Sequence, residues 1–117
     1  MATPSGAEAT ARWERLVGQM LGTIGATVGD GPERASGSTS LKTGGKIFSM
    51  LVRDHLVVKL PADRVVELVS AGEGRPFDPG HGRIQREWLE VTADDESRWL
   101  ELAFDSEGFV AGRAGAR

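Results

Sequence analysis

The residues best suited to chemistry crowd into the stretch 75–88: Arg75, Phe77, Asp78, His81, Arg83, Arg86 and Trp88. Three guanidinium forks in so short a span suit a carboxylate or a phosphate, which each can grip through two parallel N–H donors. Phe77 and Trp88 add flat apolar surfaces, and Gly80 and Gly82 would let a ligand approach the main chain. A plainer arrangement uses the same residues. Phe77 plugs the core, Asp78 caps a turn, and the arginines pair with Glu87, Glu90 or the acidic helix that follows. Function concentrates on such loops, yet most loops only connect, so the stretch is a candidate binding loop with both arrangements open.

Catalysis has little to build on. His55 and His81 are the only histidines. His81 lies near Asp78, which could orient an imidazole, but no matched nucleophile is evident; His55 follows a hairpin turn and is expected to be exposed. The absence of cysteine removes disulfides, thiol nucleophiles and zinc ribbons together. Gly44-Gly45-Lys46 lacks the longer glycine frame of a phosphate loop and has Ile47 where Ser or Thr is required. Asp94, Asp95 and Glu96 are adjacent rather than alternate, unlike a calcium loop, and suit the first turn of a helix instead. No catalytic, cofactor or metal set is therefore expected, and the chain reads as a non-enzyme.

The elements that must position these residues follow from periodicity. Trp13, Leu16, Val17, Met20 and Leu21 share one face of a helix over residues 6–21, with Ser5 and Glu8 spaced as a capping box. Residues 22–40 are rich in Gly, Ser and Thr and read as a long flexible connection, with room for a short strand at its end. Residues 38–43, 46–52 and 55–60 form three antiparallel strands joined by the tight turns Gly44-Gly45 and Arg53-Asp54. Pro61 opens a second helix that buries Val65, Val66, Leu68 and Val69 and stops at Gly72. Residues 73–83 hold too many breakers for regular structure. A strand at about 85–91 sets Leu89 and Val91 against Arg86, Trp88 and Glu90. Thr92 and Asp95 then introduce a last helix around Trp99, Leu102 and Ala103, with a frayed tail at 111–117.

The bulk properties agree with one small α+β domain: 117 residues, 39% hydrophobic and 26% charged. No secretory signal precedes the first helix, and no apolar run approaches the ~18 residues of a membrane span, so a cytoplasmic location without membrane contact is expected. The net charge of -3 is unevenly spread. Residues 41–86 carry eight basic and five acidic side chains, whereas residues 87–107 carry one basic and eight acidic. Lys42, Lys46 and Arg53 thus belong to a candidate basic face, while the acidic stretch reads as a solvated helix.

Three segments also carry a family likeness. They are Leu41-Lys42-Thr43-Gly44-Gly45-Lys46-Ile47-Phe48; Leu56-Val57-Val58-Lys59-Leu60-Pro61; and Phe77-Asp78-Pro79-Gly80-His81-Gly82-Arg83 with Glu87-Trp88-Leu89 and Val91. Together they resemble the N-terminal domain of the TfoX/Sxy competence regulators and the related YjbR/MmcQ-like bacterial proteins, across residues 38–104. Where those proteins often carry a Met-Phe-Gly step ahead of the first strand, this chain has Glu33-Arg34-Ala35-Ser36-Gly37. The resemblance implies an antiparallel sheet of about five strands with three helices, in the order α-β-β-β-α-β-(β)-α. It also implies a regulatory role. The leading expectation is a binding module acting on a protein partner or on itself as a homodimer. The alternative is a DNA-associated regulator using Lys42, Lys46, Arg53, Arg75, Arg83 and Arg86, and a third class is a small-anion binder or enzyme at His81 and Arg83.

Overall fold

The computed structural model describes residues 6–23, 27–28, 40–78 and 85–112. His81 and Arg83, the Ser5 cap, most of the 22–40 connection and the tail from 113 lie outside the described residues. The elements are α1 (Gly6–Thr23), β1 (Thr27–Val28), β2 (Ser40–Thr43), β3 (Lys46–Val52), β4 (His55–Lys59), α2 (Ala62–Ser70), β5 (Gly74–Phe77), β6 (Gln85–Val91) and α3 (Glu96–Ala111). The strands form one sheet in the order β1-β2-β3-β4-β6-β5, and every neighbouring pair is antiparallel. This is the expected α+β order, with the two-residue β1 added at one edge.

Both hairpin turns have two central residues at positive φ, as a two-residue hairpin loop demands: 58° and 80° at Gly44 and Gly45, 49° and 68° at Arg53 and Asp54. Alternation along β4 and β6 sends Leu56, Val58, Leu89 and Val91 to one face, where residues of all three helices join them in a single core. The opposite face carries His55, Val57, Lys59, Trp88 and Glu90. Leu41 pairs with Ser49 and Lys42 with Ile47, which leaves Phe48 as the extra residue of a bulge. At that bulge the rung expected between Lys59 N–H and Phe48 C=O is replaced by a helix side chain. Lys59 N–H donates to Ser106 Oγ over 3.1 Å, and the Ser106 hydroxyl donates to the Phe48 carbonyl over 2.6 Å.

Several sequence expectations need correction. The segment read as too rich in breakers contains β5, an edge strand. Glu73 C=O accepts from Thr92 N–H, so by antiparallel alternation the main-chain groups of Gly74 and Pro76 point away from β6, toward the free edge. A proline there forfeits no rung, which is why the sheet tolerates it. The α3 cap is Asp95, whose carboxylate accepts from Ser97 N–H over 3.0 Å, rather than Thr92. Pro61 occupies the N-cap position of α2, one residue earlier than expected, and Gly72 closes it through the paired bonds Glu73 N–H to Leu68 C=O and Gly72 N–H to Val69 C=O. Leu21 is 42% exposed, and Ala9 takes its place on the buried face of α1. Val66, expected in the core, is 65% exposed.

Helix α1 is fastened to α3 and the turn before it by two ion pairs. Arg12 Nη2 lies 3.1 Å from Asp94, and Arg15 meets Glu96 through two N–H donors at 2.8 and 2.7 Å. The Arg15 hydrogen bond holds the Glu96 carboxyl below its ordinary pKa, against the smaller opposing effect of desolvation. A depressed carboxyl stabilises the fold above its unfolded pKa and loses that contribution as pH falls through its folded pKa. Carbon-detected NMR titration should therefore find Glu96 titrating below a free glutamate in the native protein. In the Arg15→Ala variant it should return to the ordinary range, and a Glu96 titration that ignores this substitution would contradict the assignment.

Candidate functional site

Arg75 stands opposite Glu90 in the β5–β6 register, and its Nη2 approaches Glu90 Oε2 at 2.8 Å. The same carboxylate oxygen lies 3.0 Å from His55 Nδ1. Glu90 is 4% exposed, so this carboxylate is withdrawn from water and held between a guanidinium and an imidazole. Its hydrogen bond is the main reason that the Arg75 pKa is raised, with its charge a further cause. His55 is not the exposed residue the turn suggested: its side chain is only 12% accessible, because β6 beside β4 brings Glu90 over it. Arg75 thus follows the plainer of the two arrangements read from the sequence.

Phe77 is buried, at 5% exposure. The Arg53 guanidinium lies 6.0 Å from its ring and donates to the Asp78 carbonyl over 3.0 Å. The structure therefore gathers Arg53, Phe77 and Asp78 at one end of the open sheet face. Trp88 is half-buried and belongs elsewhere, paired in register with Lys59, whose ammonium is 5.7 Å from the indole. Lys42 is half-buried on β2, and Lys46 is exposed beside the first turn. The candidate loop is thus divided among three places.

Arg86 occupies the third place. It is exposed and, among the described residues, makes no hydrogen bond or ion pair. It borders a groove of about 400 Å³ together with Ala62, Asp63, Val65, Val66 and Pro76. Asp63 is exposed as well, and its carboxylate accepts only from the adjacent Arg64 N–H, at 3.0 Å. The groove therefore has an aliphatic floor with one unneutralised cation and one unneutralised anion at its margin. A neighbouring hollow of about 500 Å³, lined by Pro61, Asp63, Arg64 and Glu67, differs in kind. There Arg64 already sits 3.3 Å from Glu67 and 3.6 Å from Asp105.

Chemically, the groove can seat apolar side chains and select for a charge at each end. It offers no nucleophile paired with a base, and no three His, Cys, Asp or Glu residues converge as metal ligands among the described residues. Sequence reasoning found Arg86 but not the groove. The available signal was Val66, which shares a helical stripe with the polar residues Asp63 and Ser70 and so had to point away from Val65 and Leu68. No helix of the described residues is long and apolar enough to cross a membrane. No protein-family model, no curated protein and no solved structure matches this chain.

Proposed function

We propose that this chain is a non-enzymatic binding module that works through protein contacts, with the groove between α2 and the β5 edge as its contact surface. The observation that carries this reading is Val66, 65% exposed in a groove that also holds Arg86 and Asp63, neither of them in an ion pair among the described residues. Burying such a side chain gains roughly 25 cal/mol per Å² of apolar surface, and a charged margin around an apolar centre is how protein interfaces are usually built. A regulatory role of this kind is also what the resemblance to the TfoX/Sxy N-terminal domain implies. The DNA-associated alternative draws less support, since Arg75 is committed to Glu90 and Arg53 to the Asp78 carbonyl.

A photo-crosslinking amino acid tests the reading in cells that make the protein natively. Placed at Ser70, exposed one turn beyond Val66, it should give a covalent protein adduct, while the same group at exposed Glu14 on α1 should not. No adduct at position 70, or equal adducts at both positions, would overturn the proposal. Salt-sensitive binding to duplex DNA would favour the alternative instead.

A further inference from the structure

We infer that the groove between α2 and β5 receives the exposed α2 stripe of a second copy of this chain, whose own groove receives the first copy's stripe in turn, the two related by a two-fold axis. The inference rests on the protein-contact reading above and names the partner. Contact across a two-fold axis requires a surface that matches itself: whatever stands on one side of the axis meets its complement from the other side. The groove meets that condition. It carries one cation, Arg86, and one anion, Asp63, neither in an ion pair among the described residues, with Val66 and Pro76 also lining it. Rotation about an axis midway between the two charges of the groove brings Asp63 of each copy to Arg86 of the other, twice. A patch of a single sign would repel itself, and a patch whose charges were already paired would have nothing left to specify the register.

The sheet edge narrows the mode of contact. β5 is the outermost strand, and Pro76 has no N–H to offer on the side that faces outward. A second strand therefore cannot continue the ladder through this position, and the partner must meet the edge with side chains rather than main chain. The exposed stripe of another α2 supplies them. Ion pairs at an exposed margin add little affinity and mainly fix orientation, so binding strength comes from the apolar centre. So small an apolar centre implies a weak, reversible dimer.

Sedimentation velocity on the full chain, from micromolar to millimolar concentration, should show a monomer giving way to a dimer. Asp63→Arg and Arg86→Asp, each alone, place like charges opposite each other and should weaken the dimer at least about tenfold. The double variant exchanges both charges and should recover it. The two single variants mixed in equal amounts should pair with each other, which keeps the test decisive if the double variant folds poorly. Circular dichroism and thermal unfolding check that each variant retains the fold, as expected for exposed positions. A protein that stays monomeric throughout overturns the inference. So do single exchanges that leave the dimer unchanged, and the failure of both the double variant and the mixture to recover it. A monomer whose Ser70 crosslink has the mass of some other protein removes the dimer and keeps the protein-contact reading. The absence of any crosslink with monomeric behaviour removes both.

Discussion

Trp99→Ala is expected to remove most of the stability of this domain. The indole is fully buried in α3, and its Nε1–H donates to the Ala93 carbonyl over 3.0 Å. Truncating a buried tryptophan costs about 3–5 kcal/mol through lost transfer energy and the cavity left behind. Here a second loss is added. The Arg12 guanidinium lies 4.9 Å from the ring centroid and is itself buried, with no hydrogen-bond acceptor for its Nε or Nη1 among the described residues. The ring face supplies what those donors lack, and a desolvated cation–π contact is worth about 2 kcal/mol. Against a total of roughly 5–15 kcal/mol for an ordinary domain, the variant should be partly unfolded at room temperature. Equilibrium denaturation checks this, and a loss below about 2 kcal/mol would show that Arg12 and the core close over the cavity. Trp99→Phe keeps a ring beneath the guanidinium and should lose far less.

Gly74→Ala should also be strongly damaging, although it adds only a methyl group. A Cβ at Gly74 would stand 2.7 Å from the Glu90 carbonyl oxygen, 2.7 Å from Leu89 Cδ1 and 3.0 Å from its Cγ. Leu89 is buried and the carbonyl belongs to β6, paired on both sides, so neither can yield cheaply. The strand that gives way is β5. Overpacking of this kind costs about 1–3 kcal/mol, and contact with main chain places this case at the upper end. The midpoint of thermal unfolding should fall by about 10 °C. Hydrogen exchange should rise first at Arg75, whose amide faces β6 by antiparallel alternation, and at Thr92, whose amide bonds to Glu73. A variant with unchanged exchange there would mean that β5 has slack which the geometry does not show.

Those two positions also separate what the sequence disclosed from what it withheld. Trp99, with Leu102 and Ala103 at helical spacing, was legible as core because periodicity is local. The alternation of Leu56, Val58 and Leu60, and of Leu89 and Val91, was legible for the same reason. Gly74 and Pro76 misled because glycine and proline weaken an interior strand, yet an edge strand can require the one and tolerate the other. Val66 was misplaced because Val65, Val66, Leu68 and Val69 cannot all face inward, and the sheet beneath α2 decides which of them does not. The His55–Glu90 contact and the Asp63–Arg86 groove join residues far apart in the chain. They depend on β6 slotting between β4 and β5, which no local pattern announces. The fold was thus legible wherever an element declares itself, whereas the site depended on strand order.

The hydroxyl of Ser106 carries a consequence for how the chain assembles. The central hairpin of β3 and β4 has its own tight turn and could close early, within microseconds, as hairpins do. Its last native rung cannot, because the Lys59 N–H and the Phe48 C=O are bridged by a side chain that arrives 47 and 58 residues later. During synthesis that hairpin therefore waits, with a donor and an acceptor open at one end, until α3 has been made and has settled on the sheet. The C-terminal helix acts as the latch on a structure begun long before it, and the two become native in the same step.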